Sequence, residues 1–334
     1  MSYAAPAVDP ASTLIFVINA AAGSSDAQAK REVIESALAQ AGRTGQLVFA
    51  QPGDLLGAAH RAASQAVATR SAVVAVGGDG TINTVAQATH AQGCPMGVIP
   101  QGTFNYFART HGIPADPVQA AQSLFKCKAL PVQVATINDH VFLVNASLGL
   151  YPQLLEDREA YKARFGRSRL VAIGAGFVTL LRAHRQLRLR IELDRVVREV
   201  RTPTLFVGNN RLQLEQVGVK VGEQAGQGAG GALDDGSIAA VMLRPIGTWA
   251  MMRLMLNGAM GTLGEADSVE SFAFDHMVVR PRLDYGRRKV KVAFDGEVQW
   301  MPSPIEFSVS AKPLYLLKPE VAIVDSAAAA KLPM

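Results

Sequence analysis

Between Thr13 and about Lys128, short apolar runs alternate with longer segments whose apolar positions recur at helical spacing. The runs Leu14–Ile18, Gln46–Ala50, Ala72–Val76 and Gly97–Ile99 predict buried strands, and Ala27–Ala41, Leu55–Ala68 and the stretch after Thr81 predict helices. Strands that alternate with helices in this way predict a parallel, doubly wound sheet covered on both faces. Beyond Pro131 the period becomes two, as in Gln186–Asp194, Val278–Arg280 and Lys289–Phe294, which predicts antiparallel sheets. At 334 residues the chain is long enough for two cores. The change of period divides it into an α/β domain over 1–130 and a β-rich domain over 131–312, with the tail from about 313 packing back on the first.

Ligands of a parallel sheet sit at the carboxyl ends of its strands, and glycine-rich loops follow the first, third and fourth predicted strands. The most informative is Gly77-Gly78-Asp79-Gly80-Thr81. Its glycines let main-chain amides approach an anion closely, Thr81 is the expected N-cap of the next helix, and that helix adds a partial positive charge. A carboxylate among such donors makes sense when a divalent cation or a transferring proton lies between it and bound phosphates. The run is neither the Walker pattern nor the dinucleotide fingerprint. A strand-to-helix corner with Asp79 as its cap is the plainer alternative.

The run resembles the Gly-Gly-Asp-Gly-Thr signature shared by diacylglycerol-kinase-type lipid kinases, sphingosine kinases and NAD kinases. Pro100-Gln101-Gly102-Thr103-Phe104-Asn105-Tyr106-Phe107-Ala108-Arg109 is similar to the Pro-x-Gly-Thr-x-Asn-Asp-Phe-Ala-Arg segment of the bacterial diacylglycerol kinase family, which NAD kinases lack. Leu233-Asp234-Asp235-Gly236-Ser237 and Asp295-Gly296-Glu297 resemble two later elements of that family. The resemblance implies an N-terminal nucleotide-binding domain, a β-sandwich-like second domain, and an active site in the cleft between them.

It also implies roles. Asn19 and Gly23 lie against ATP, although Ala20 stands where the family usually has proline. Gly77, Gly78, Gly80 and Thr81 hold its phosphates, and Gly102, Thr103 and Asn105 close the pocket. Asp79 faces Mg²⁺ or the acceptor hydroxyl, Asp295 is the general base with Asp79 its rival, and Asp234 and Asp235 hold a structural magnesium. Glu297, two residues along an expected strand from Asp295, projects on the same face and pairs with it. A hairpin turn at Asp295-Gly296 is the alternative. Tyr106 departs from the family's aspartate, which means one acid fewer, a changed substrate or plain packing beside Phe104 and Phe107.

Composition adds limits. Two cysteines exclude a disulfide framework, and six scattered histidines lack metal-ligand spacing. The net charge of +5 points to anionic partners. Nine basic residues between Arg158 and Arg190 bracket the apolar stretch Leu170–Leu181. They predict peripheral docking on anionic lipid, while nucleic acid is disfavoured because aromatic interleaving is absent. That apolar stretch is shorter than the ~18 residues of a membrane span, and the N-terminus lacks the pattern of a signal peptide. The expectation is a cytoplasmic protein, peripheral at the inner membrane surface, with homodimer and monomer both open. The reading is an ATP- and Mg²⁺-dependent kinase of a diacylglycerol-like or sphingoid lipid. A soluble kinase of NAD or a polyol and a non-catalytic lipid or nucleotide sensor are the alternatives.

Overall fold

The computed structural model describes residues 6–9, 11–20, 24–51, 53–149, 152, 186–193, 196–209, 236–243, 269–282 and 288–319. Eighteen strands form three six-stranded sheets, accompanied by five helices, all among the described residues.

The first sheet contains β1 (Leu14–Asn19), β2 (Gly45–Ala50), β3 (Val73–Gly77) and β4 (Met96–Pro100), all parallel, in the order β2-β1-β3-β4. Strands β1, β3 and β4 are apolar runs buried on both faces, as the inner strands of a covered parallel sheet require, while β2 at the edge is only partly buried. Helices α1 (Ser24–Ala41), α2 (Leu55–Ala68) and α3 (Asp79–Gln92) make the crossovers. The chain steps outward from β1 to β2 and then back across to β3, so right-handed crossovers place α1 on one face and α2 with α3 on the other. Contacts agree: α2 packs on α3, and α1 packs on α5 (Pro117–Leu124). The order reverses between β1 and β3, which makes the carboxyl ends of those two strands the expected ligand crevice.

The sheet is not wholly parallel. Strand β5 (Cys127–Val132) runs antiparallel at its edge, and between β4 and β5 lies β18 (Leu314–Pro319), which returns from the far end of the sequence.

Two antiparallel sheets carry most of the remaining described residues. One has the order β10-β9-β14-β17-β6-β7 and comprises β6 (Ala135–Ile137), β7 (His140–Phe142), β9 (Leu187–Leu193), β10 (Val196–Thr202), β14 (His276–Pro281) and β17 (Ile305–Val309). The other has the order β13-β12-β11-β8-β15-β16 and comprises β8 (Asn145–Gly149), β11 (Thr204–Gly208), β12 (Ile238–Leu243), β13 (Val269–Phe274), β15 (Lys289–Phe294) and β16 (Glu297–Pro302). Their inward-facing residues share one apolar core, in which Phe142, Leu148, Leu205, Met277, Val279 and Phe307 are fully enclosed. A separate core fills the parallel sheet and its helices. The expected alternation is present: in β9, Leu189 and Ile191 are buried while Arg188 and Arg190 face outward.

Among the described residues no helix is long and apolar enough to cross a membrane. The stretch Leu170–Leu181, the basic residues from Arg158 to Arg185, and the glycine-rich segment 222–232 lie outside the described residues.

Candidate active site

The strand β3 ends on Gly77, and the helix α3 begins inside the motif itself. Gly78 is its N-cap, Asp79 is its first residue, and the Ile82 amide donates to the Gly78 carbonyl at 3.0 Å. This corrects the expectation that Thr81 caps the helix. Thr81 is buried in the first turn, its side chain lies where a Cβ on Gly77 would stand, and Asn19 Nδ2 donates to its Oγ1 at 3.2 Å. The hydroxyl therefore ties the end of β1 to the helix start. The amides of the first turn, from Asp79 on, have no intrahelical acceptor and carry the helix's partial positive charge.

The loop after β4 meets this turn. A Cβ added to Gly102 would stand 3.2 Å from Gly78 Cα and 2.8 Å from Asn105 Oδ1, so the two backbones approach as closely as glycine permits. The Gly102 amide donates to Asn105 Oδ1 at 2.9 Å. Asn105 itself is 6% exposed and holds a left-handed conformation, with φ of 49°, at the N-cap of α4 (Tyr106–Thr110). Asparagine tolerates that conformation better than most residues. The main-chain amides of Asn105 and Tyr106 donate to the Asp79 carboxylate.

Asp79 is the odd member of this assembly. Its Oδ1 is buried and has no hydrogen-bond partner among the described residues. Burial pushes its pKa up, and the two amides pull it back. An anionic oxygen stripped of water and left without a donor calls for a cation or an acidic proton.

Beside it opens a cavity of about 590 Å³ lined by Asn19, Gly77, Gly78, Thr81 and Gly102, together with Lys30, Pro100, Gln101, Ala115 and Pro117. The structure thus brings five expected residues together. Thr103 is exposed and outside this lining, Gly80 sits under Glu297, and Gly23, Asp234 and Asp235 lie outside the described residues. Lys30 was not legible as a site residue. It lies on α1, and its ammonium reaches back to donate to the Asn19 carbonyl at 3.3 Å, at the mouth of the crevice. A lysine eleven positions beyond a strand end carries no motif, and only the direction of α1 brings it home.

The late Asp-Gly-Glu element takes a different form from the one expected. Asp295 and Gly296, with φ of 46° and 87°, are the two central residues of the tight hairpin turn joining β15 to β16. Two positive φ values fit the right-handed twist of the flanking strands. Asp295 and Glu297 therefore do not share a strand face: Asp295 is 8% exposed and points inward, while Glu297 opens β16 and is exposed. They are not a paired set of carboxylates. Glu297 Oε1 instead lies 3.4 Å from the position of a Cβ on Gly80, against the turn that opens α3.

The Asp295 carboxylate accepts four hydrogen bonds. Three come from the main-chain amides of Leu143 (2.7 Å), Val144 (2.9 Å) and Asn145 (3.1 Å), and one from Asn83 Nδ2 on α3 (2.6 Å). Burial raises its pKa to about 6, and these donors oppose a further rise. Asn83 and Gln87, one turn apart on α3, both donate to the Val141 carbonyl, and Gln87 Oε1 accepts from the Val141 amide at 2.9 Å. Asp295 is thus a junction that ties α3 and the hairpin to the 143–145 loop. With both oxygens doubly occupied, it has no free lone pair for a substrate proton.

Tyr106 stacks on Phe104, ring centroids 5.4 Å apart and 7° from parallel, and packs against the first core. Phe104 is half exposed, so the pair forms an aromatic ledge beside the Asp79 loop. Among the described residues no group of three or more His, Cys, Asp or Glu is placed to hold a metal ion.

Residues 13–137 match the model of the diacylglycerol kinase catalytic domain. The chain is 33% identical over 185 residues to a Serratia proteamaculans protein named "Probable lipid kinase YegS-like", covering 53% of this chain and 54% of that one. A Cronobacter sakazakii protein of the same name is 34% identical over 122 residues, covering 35% and 40%. The chain thus spans about half the length, or less, of these curated relatives. A crystal structure titled as a diacylglycerol kinase from Bacillus anthracis superposes with a TM-score of 0.64 over 93% of this chain and 98% of that one, at 18% identity. That last likeness is one of fold.

Proposed function

We propose, from the premise that residues 13–137 match a diacylglycerol kinase catalytic domain, that this protein is an ATP-dependent kinase of a lipid alcohol, diacylglycerol-like or sphingoid. The observation that carries the reading is the buried, partnerless Oδ1 of Asp79 beside a cradle of glycine backbone. The names of the relatives support a lipid acceptor over NAD or a polyol.

In this reading the triphosphate lies in the cavity between Asn19, Gly78 and Gly102. Amides of the first turn of α3 face its oxygens, and Lys30 neutralises charge from the opposite wall. Magnesium takes few protein ligands and the rest from phosphates and water. One anionic oxygen on Asp79 fits that habit, and such an ion, when bound, neutralises charge on the transferring group. The acceptor hydroxyl approaches between Asp79 and Glu297. Glu297 reaches the turn from β16, which supports a reaction site in the cleft between the α/β part and the antiparallel sheets. We assign the proton-accepting or metal-holding role to Asp79 and a positioning role to Asp295. Phe104 and Tyr106 give the acceptor's apolar body a surface to lie on.

Incubation with γ-labelled ATP and a bacterial lipid extract, with NAD and glycerol as parallel acceptors, tests the proposal. Label in lipid supports it. Label in NAD or glycerol, or nucleotide binding with no transfer to any acceptor, overturns it.

Two further results are expected. Lys30→Met should raise KM for ATP about tenfold or more with a smaller change in kcat, because it removes a charge-assisted contact to the phosphates. Carbon-13 NMR of the Asp79 carboxyl in the metal-free chain should give a titration midpoint above 3.8. A buried carboxyl keeps its proton longer, so the anion is lost as pH falls through this raised value. Magnesium with a non-hydrolysable ATP analogue should move the midpoint down, since a neighbouring cation favours the charged form.

A further inference from the structure

We propose that the outer face of the β10-β9-β14 sheet is a docking surface for a bilayer rich in anionic headgroups. The residues that form it are distant in sequence and meet only through strand pairing. Arg201 of β10 pairs with Arg188 of β9, and the Arg282 amide, just past β14, donates to the Arg188 carbonyl at 2.7 Å. Three arginines therefore stand side by side across adjacent strands.

The next row is Glu199, Arg190 and Arg280. Glu192, one row further, takes an ion pair from Arg190 at 3.5 Å and from Arg280 at 2.5 Å. Acids thus answer the second row. Nothing of the kind answers the first: Arg188, Arg201 and Arg282 are exposed and make no ion pair with any described acid. Like charges directly opposite on a sheet destabilise it, and with no described acid offsetting the row it is suited to an external anion. A shallow hollow of about 250 Å³ lies among these side chains.

The geometry selects a membrane over other polyanions. Guanidinium groups bind phosphate oxygens through paired, planar hydrogen bonds. Strands lie about 4.8 Å apart, so three such groups form a flat array about 10 Å wide, suited to a plane of headgroups. Val197, 49% exposed, faces outward opposite Glu192 and offers apolar contact to the interface. Described residues of this face include no Phe, Tyr or Trp on which a nucleobase could stack, and its one imidazole, His276, is held by Glu306 at 2.8 Å. The inference rests on the charge and register of the sheet and not on the kinase reading.

Co-sedimentation of the full chain with vesicles containing no acceptor tests it. Binding is expected to vesicles of phosphatidylcholine with phosphatidylglycerol, to be absent with phosphatidylcholine alone, and to weaken as salt rises. The triple variant Arg188→Gln/Arg201→Gln/Arg282→Gln should lose roughly 100-fold in affinity, from about fivefold for each basic residue near an anionic surface. Arg282→Glu alone, at the strand end, should lose at least fivefold and guards against misfolding of the triple variant. Equal binding by wild type and both variants overturns the proposal. So does wild-type binding to neutral vesicles, or tighter binding to a single-stranded oligonucleotide or inorganic polyphosphate than to the anionic vesicles.

Discussion

Asp79→Asn is expected to lower kcat for lipid phosphorylation by on the order of 10²–10³-fold or more, with the fold and ATP affinity nearly intact. Asparagine keeps the shape of the side chain, and its carbonyl oxygen can still accept from the amides of Asn105 and Tyr106. It loses the charge on the oxygen that has no other partner. The substitution therefore separates the acid's chemistry from its place in the loop. Asp79→Ala should lose as much turnover and, in addition, about 1–2 kcal/mol of stability, because two shielded amides lose their acceptor. Turnover by Asp79→Asn within a few-fold of wild type would remove Asp79 from the reaction and return attention to Glu297.

Asp295→Ala should destabilise the protein by roughly 3–5 kcal/mol, measured as a shift in the urea unfolding midpoint. The substitution strands the Asn83 amide and the three main-chain donors of the 143–145 loop, all buried or nearly so. Unsatisfied buried donors carry a desolvation cost of about 1–3 kcal/mol each, partly relieved by water or local rearrangement. Asp295→Asn should lie between: its oxygen keeps two donors, and its NH₂ confronts the other two. The comparison with Asp79 decides the roles. A positioning residue loses stability along with activity, whereas an acid in contact with substrate loses activity alone. If Asp295→Asn unfolds at the wild-type midpoint yet has lost its turnover, Asp295 is the base after all and its four donors must yield to substrate.

Phe104 and Tyr106 bear on acceptor choice in the same framework. Their stacked rings lie in the loop that holds Asp79, so the position that carries an acid in the resembling family here carries apolar area.

What the sequence determined by itself is the set of local elements and the motif chemistry. Short apolar runs rich in β-branched residues and bounded by turn residues favour buried strands, and β1 to β4 form within a residue or two of their predicted limits. Glycines flanking one acid at the end of such a strand implied an anion cradle, and the fold packs Gly78 against Gly102 beside the buried Asp79 oxygen. Where helix α3 begins was less legible, because glycine and aspartate accept either a loop or a first helical turn, and packing of Thr81 against Gly77 selected the turn.

Tertiary structure alone decided the rest. Asp295 meets Asn83 across 212 positions of sequence, and whether a carboxylate in an Asp-Gly turn points at solvent or at buried donors depends on what packs over the hairpin. Lys30 reaches the crevice because α1 runs back over the end of β1, and the row of Arg201, Arg188 and Arg282 exists only through register. Hydrophobic period and backbone freedom are properties of neighbouring residues and survive in the sequence. Hydrogen-bond occupancy and charge compensation belong to residues brought together from afar, and those appear only once the chain has folded.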